Sequence, residues 1–210
     1  VEGLRQFLDS FSRIQLPGSE AQAEMSGFGR PRVDQPQDAK AASVLLYIFP
    51  DRRDEYRMCF IKRTSRFPSD PHSGQIAFPG GQREARDKSH WHTAIREAQE
   101  EVGISPITTK KLGPLSQLYI PVSNFIVYPF LSISEEVPKF QLQESEVAAI
   151  ITPKVTDILD NKNLQYRDLK VGKNRVLPNV PHFYLEDQII WGATAMILNE
   201  FKASALGYEY

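Results

Sequence analysis

The chain has 210 residues, the length of one domain or of one domain with a substantial extra segment. Hydrophobic residues make up 41% and charged residues 24%, ordinary values for a soluble globular chain that buries a real core. A formal net charge of −1 excludes a global pull toward nucleic acid or an acidic membrane, and the single cysteine, Cys59, excludes an internal disulfide and a four-thiolate metal centre.

Leu4, Phe7, Leu8, Phe11 and Ile14 recur at helical spacing, so residues 1–14 are expected to form an amphipathic helix. Glu2 and Arg5 stand close together in a segment without a signal-peptide core, which points to a cytoplasmic location. Pro17 to Gln37 is rich in Pro, Gly, Gln and charge and is expected to be an irregular arm, giving residues 1–38 as an N-terminal helix and arm ahead of a domain over 39–210. Ala41–Phe49 is the longest apolar run, far short of the about 20 residues that span a bilayer. With Tyr56–Lys62, across the charged turn Asp51–Arg53, it predicts a pair of strands.

Thr64–Gly74 is polar and contains proline, a loop long enough to be functional. Gln75–Phe78 is a short strand leading into Pro79-Gly80-Gly81, and His90–Val102 is a helix stopped by Gly103. Leu115–Ile133 is expected to hold two strands broken by Pro121 and Pro129. Val147–Ile151 is a further strand, with a helix over Lys154–Asp160 started by Pro153. Tyr166–Leu169, Phe183–Leu185 and Gln188–Ile190 are late strands, Glu186-Asp187 is a turn, and Ala193–Phe201 is the closing helix. Strands and helices mix without regular alternation, so the fold class is α+β.

Chemistry concentrates in the helix. At about 100° per residue, with Glu97 at zero, Glu101 lies roughly 40° to one side and Glu100 roughly 60° to the other, so three carboxylates share one face. Ile95, Ala98 and Val102 occupy the opposing side and are placed to pack on a sheet. The acidic face is unfavourable by itself. Glu97 and Glu101 are a like-charge i,i+4 pair, destabilising by about 0.2–0.5 kcal/mol, and Glu100 and Glu101 sit at the negative end of the helix dipole. Arg96 offsets part of this, and a hard divalent cation bound to carboxylate oxygens would reverse its sign. An Arg-Glu-x-x-Glu-Glu stretch alone is commonly a solvated helix face. Preceded by a strand and a glycine bend, where backbone can approach a metal or phosphate closely, it is a more specific signal.

These residues resemble the Nudix box, Gly-x5-Glu-x7-Arg-Glu-apolar-x-Glu-Glu-x-Gly-apolar. Gly81, Arg96, Glu97, Ala98, Glu100, Glu101, Gly103 and Ile104 match it; the first acid is Asp87 instead of Glu, followed by one extra residue before Arg96. The chain is also similar to the coenzyme A pyrophosphatase branch, through Phe60-Ile61-Lys62-Arg63-Thr64, Gly74-Gln75-Ile76-Ala77-Phe78-Pro79-Gly80-Gly81 and the late Ile190-Trp191-Gly192-Ala193-Thr194-Ala195. Its Arg63–Gly74 interval is longer than the branch's, and Arg66 comes early.

The resemblance implies a Nudix fold over residues 39–210, a mixed sheet sandwiched between helices, and Mg²⁺- or Mn²⁺-dependent hydrolysis of nucleoside diphosphate derivatives. It implies that Glu97, Glu100 and Glu101 hold the metal with the Gly81 carbonyl, that Arg96 holds a glutamate in place, and that the first acid braces the loop. For the branch, the substrate is coenzyme A and the products are phosphopantetheine and adenosine 3′,5′-bisphosphate. The general base is a box glutamate or a downstream one, for which Glu146 is better placed than Glu144. Arg63 and Arg66 are candidates for substrate phosphates, with Gly80 and Gly81 lining the substrate site.

The partner expected is a small molecule, with no nucleic acid and no membrane, and a homodimer remains open. The alternatives are hydrolysis of another derivative, such as ADP-ribose or NADH, and a Nudix-shaped regulatory module without turnover. The long 64–74 loop keeps the first alternative open; the retained glutamates weigh against the second. His90-Trp91-His92 reads as a helix start and not a zinc site, Trp191 as a core or pocket wall, and Cys59 as a small buried hydrophobe.

Overall fold

The computed structural model of the protein describes residues 2–27, 35–64, 74–171 and 175–208. Thr64 and Gly74 are therefore described while the residues between them, including Arg66 and His72, lie outside the described set.

The central sheet is built on β1 (Lys40–Pro50) and β8 (Phe125–Ser134), which run parallel, Lys40 opposite Phe125 and Ile48 opposite Ile133. β2 (Tyr56–Met58) and β5 (Gly80–Gln82) pair antiparallel with the two ends of β1; β6 (Thr109–Pro114) and β7 (Leu118–Ile120) pair antiparallel with β8. A second sheet orders β4 (Ile76–Ala77), β3 (Phe60–Arg63) and β9 (Val147–Ile151), and a third orders β10 (Leu164–Val171), β11 (Arg175–Leu185) and β12 (Gln188–Ile190). The α+β class and the mixed sheet between helices match the expectation.

β1 explains the architecture. Leu45, Tyr47 and Phe49 face the helix α3 (His90–Val102) with Ala94, Ala98 and Val102. Leu46 and Ile48 face the other way, into a larger cluster with Phe7 of α1 (Glu2–Ser10), Ile158 of α4 (Val155–Leu159) and Phe201 of α5 (Gly192–Leu206). A strand covered on both faces reads as a continuous apolar run. The strand pairing expected between Ala41–Phe49 and Tyr56–Lys62 holds for β2 only; after Cys59, whose amide still donates to the Tyr47 carbonyl, the chain leaves β1 and β3 joins the second sheet.

Three local expectations are corrected. The arm over Pro17–Gln37 contains a short helix, α2 (Ser19–Glu24). It has no apolar stripe because polar groups hold it: buried Glu200 accepts from Gln22 Nε2 at 2.8 Å, and Asn199 Nδ2 donates to the Ala21 carbonyl at 2.7 Å. Pro129 does not break β8. It falls where the neighbour of β8 changes from β7, at Val127, to β6, at Phe130, so fewer ladder bonds are demanded of it. β11 begins well before Phe183 despite Pro178 and Pro181; its partner β10 bulges between Arg167 and Leu169, and Asp168 Oδ1 accepts from Asn179 N at 2.9 Å. The Glu186-Asp187 turn is as expected, both residues at positive φ in a two-residue hairpin. Cys59 is fully buried, and burial pushes its thiol pKa up. Among the described residues no helix is long and apolar enough to cross a membrane.

Lys202 stands out on α5. It is 4% exposed, its Nζ has no hydrogen-bond partner among the described residues, and it lies 5.4 Å from the Phe183 ring centre. Burial lowers its pKa from the ordinary 10.5, against the pull of Asp160. Below 10.5 the unfolded chain takes the proton more readily than the folded one, so this residue destabilises the fold as pH falls through that window. Lys202→Met is expected to raise stability by about 1–3 kcal/mol at neutral pH, with the gain shrinking toward pH 10.5. Urea unfolding of both proteins at two pH values checks this; an equally stable or weaker Met variant would mean that the ammonium is well solvated.

Candidate active site

The site forms where β4 runs through Phe78-Pro79 into β5 and meets α3. β5 lies against β1, with Gly80 opposite Val44 and Gly81 opposite Ser43. A Cβ at Gly80 would fall 2.7 Å from Val44 Cα and collide with the Ser43 carbonyl, both backbone atoms that cannot yield. A Cβ at Gly81 would stand 2.5 Å from the Glu97 carboxylate. Gly80 is required because the strand presses there on the β1 backbone, and Gly81 leaves room for the Glu97 carboxylate.

The helix begins at Ser89, whose Oγ accepts from His92 N at 3.1 Å, and closes at Gly103 in the left-handed region. Ile95, Ala98 and Val102 are buried against β1 and β8, which turns the glutamate face toward the glycine bend. Glu101 is 3% exposed, and its Oε2 accepts from the Gly80 amide at 2.8 Å. Burial pushes the Glu97 carboxyl pKa up, opposed by Arg96.

Arg96 is the organiser of this face. Its Nε and Nη2 grip Asp87 at 2.9 and 3.0 Å, Nη2 lies 2.9 Å from Glu97 Oε1, and Nη1 reaches Glu100 Oε2 at 3.0 Å. The Asp87 side chain is fully buried and also accepts from Glu84 N and Thr93 Oγ1, at 2.9 and 3.0 Å. Hydrogen bonding to Arg96 holds the Asp87 carboxyl well below the usual carboxylate range, and Asp87 raises Arg96 in turn. Asp87 therefore ties the 84–87 turn, the start of α3 and the arginine together, the bracing geometry expected of the first acid.

Glu97 and Glu101 are brought to the glycine bend, but Glu100 is not. It is half exposed and pairs with Arg96 and, at 3.3 Å, with Arg86. Among the described residues no three His, Cys, Asp or Glu side chains are gathered round one point as a ready-made metal site. The donors nonetheless fit a hard cation in kind: carboxylate oxygens on one helix face, one of them crowding a glycine where only backbone stands opposite.

The other candidates are distributed around this centre. The Gln143 amide donates to the Glu101 carbonyl at 2.9 Å, which brings the segment carrying Glu144 and Glu146 to the end of α3, and the Glu146 carbonyl accepts from Thr64 N. Arg63, opposite Val147 on β3, continues the face that holds Cys59 and Ile61 in the cluster with α3. Its Nε is buried and has no hydrogen-bond partner among the described residues. His90 stacks on Tyr128 at 3.6 Å and His92 Nδ1 accepts from Lys88 N, so the two imidazoles serve the helix start. Trp191 precedes α5 and walls a cleft beside β4. Ser43, Thr93 and Gln143 were not anticipated. Only Ser43 carried a signal, as a polar residue inside an apolar run; it is fully buried, with an Oγ that lacks a partner among the described residues.

An acidic helix held over a glycine bend by buried arginine–carboxylate bonds defines a class of protein, one that positions carboxylate oxygens of the kind a hard cation takes. The NUDIX domain family matches residues 39–174, and the chain belongs to it. It is 34% identical over 129 residues to the uncharacterized Nudix hydrolase NudL of Pectobacterium atrosepticum, a match spanning 61% of this chain and 66% of that one. It is 30% identical over 172 residues to the NudL of Citrobacter koseri, covering 81% and 86%. The crystal structure of the Nudix hydrolase RenU from M. smegmatis superposes with a TM-score of 0.45 at 17% identity, over 54% of this chain and 70% of that one. The chain thus carries a NUDIX domain over most of its length and is similar to Nudix hydrolases, and its match spans just under two thirds of the length of the Pectobacterium relative.

Removing Asp87 takes two hydrogen bonds from the Arg96 guanidinium, which keeps Glu97 and Glu100. Asp87→Ala is expected to lose about 1–3 kcal/mol of stability, because charge-assisted bonds to a buried carboxylate are taken away. The Asp87 contribution is complete above the ordinary carboxyl pKa of 3.8 and is lost as pH falls below it toward the depressed folded value. Urea titrations should therefore show a constant gap between the two proteins at neutral pH that narrows in acid. A gap below 1 kcal/mol would contradict the bracing role.

Proposed function

We propose that the protein hydrolyses the diphosphate linkage of coenzyme A or its derivatives, with Mg²⁺ or Mn²⁺, releasing phosphopantetheine and adenosine 3′,5′-bisphosphate. The observation that carries this reading is Arg63: a guanidinium nitrogen, buried and partnerless among the described residues, on the strand face turned toward the glutamate helix. A buried cationic donor without an acceptor is costly, and a phosphate oxygen would satisfy it. The resemblance of the segments around Arg63 and Gly74–Gly81 to the coenzyme A branch points the same way.

Glu97 and Glu101, with the Gly81 carbonyl, would hold the cation, and Glu100 would complete the set while tied to Arg96. A cation held there would supply neutralisation of phosphoryl charge and a lowered pKa for water. Arg96 keeps Glu97 aimed at the bend, and Asp87 keeps Arg96 from swinging away. Glu146, at the start of β9, takes the proton of the attacking water. The water oxygen bonds to phosphorus, the bridging P–O bond breaks, and its electron pair stays on the departing phosphate. Arg63, with Arg66, holds the substrate's phosphate charge.

Glu101→Gln is expected to abolish turnover while leaving the fold nearly intact, since a glutamine oxygen can still accept from the Gly80 amide. Near-normal turnover of the purified variant at saturating Mg²⁺ would remove Glu101 from the metal site. Substrate identity is checked with coenzyme A, its thioesters, ADP-ribose and NADH, with products identified by mass. Coenzyme A should lead, and Arg63→Ala should erase its advantage over 3′-dephospho-coenzyme A. Preference for ADP-ribose or NADH would replace the coenzyme A reading, and no hydrolysis of any of them would favour a module without turnover.

A further inference from the structure

Beside the reaction centre lies an open cleft of about 360 Å³ between the edge of β4 and the β10–β12 sheet. Ile76, Ile189 and Trp191 give it apolar walls, Gln75 and Gln188 bring amide groups, and the charges of Lys170 and Asp187 offset each other. Such a lining suits a flat polar ring better than a diphosphate, which needs a net positive surface. An indole in the lining is the residue type for stacking on a base, and the Gln188 amide carries both a donor and an acceptor.

The cleft is joined to the site through the backbone. Arg63 N donates to the Gln75 carbonyl at 3.0 Å and Gly74 N donates to the Arg63 carbonyl at 3.0 Å. The strand that walls the cleft is thus bonded to the residue assigned to phosphate, and it runs on directly into Gly80-Gly81. We infer that this cleft receives the heterocyclic base of the nucleoside diphosphate, stacked against Trp191 and read by Gln188, which makes Trp191 a specificity-determining residue. The inference rests on the proposed function for the position of the diphosphate.

The two tryptophans of the chain make a direct test possible. In a Trp91→Phe background, Trp191 is the sole indole reporter. Titration with adenosine 5′-monophosphate should change its fluorescence to saturation, and phosphopantetheine should not. A response to phosphopantetheine, with or without one to the nucleotide, overturns the inference, as does silence to both. In parallel, Trp191→Ala should raise KM for the hydrolysed substrate roughly tenfold or more with kcat little changed. An unchanged KM also overturns it. The fluorescence arm needs no turnover: a protein that binds the nucleotide at Trp191 but cleaves no diphosphate would sink the proposed function and leave this cleft standing. Hydrolysis of coenzyme A without a Trp191 response would do the reverse.

Discussion

At the centre of the molecule a buried carboxylate, Glu101, accepts a hydrogen bond from the backbone amide of Gly80. That bond fixes the last turn of α3 against the glycine bend, and much of the structure serves to keep it there. β1 supplies the surface on which both press, its Ser43 and Val44 against the glycines and its Leu45 and Tyr47 against the helix. Gly80 is the steric condition, with Gly81 beside it leaving room for a carboxylate. Any side chain at Gly80 would strike β1, and any at Gly81 would strike Glu97.

Concentrating acids at a helix end demands compensation, and the protein supplies it internally. Arg96 contacts Asp87, Glu97 and Glu100 simultaneously, and Asp87 is itself locked by the turn at Glu84 and by Thr93. The arrangement is graded. Asp87 and Glu101 are buried and committed, Glu97 is partly covered, and Glu100 is exposed with exchangeable arginine partners. Buried groups set the geometry, and the outermost one is held only by two arginines at the surface.

The outer elements extend this centre. The 141–147 segment is tied to the C-terminal end of α3 by the amides of Gln141 and Gln143, so β9 and Glu146 are placed by the same helix that carries the glutamates. β3, paired with β9, brings Arg63 alongside Val147, and β4 connects it to both the glycine bend and the Trp191 cleft. α1, the turn after it and α2 contribute packing: Phe7, Leu8 and Phe11 fill the cluster under β1, and Gln22 and Asn199 fasten the arm to α5.

By itself the sequence determined the parts whose signals are local. The α3 boundaries, the Glu186-Asp187 turn and β9 follow from caps, periodicity and β-propensity over a few residues. The shared face of Glu97 and Glu101 follows from helix geometry alone. Only the tertiary structure decided that Glu100 turns away while Asp87 is buried, because that depends on where one guanidinium can reach. It also decided that β3 leaves β1 for a second sheet, that Pro129 stays within β8, and that α2 forms inside a proline-rich arm. In each case the governing partner lies far along the chain, at Ile151, Leu115 or Glu200, where a local pattern of residues has no reach.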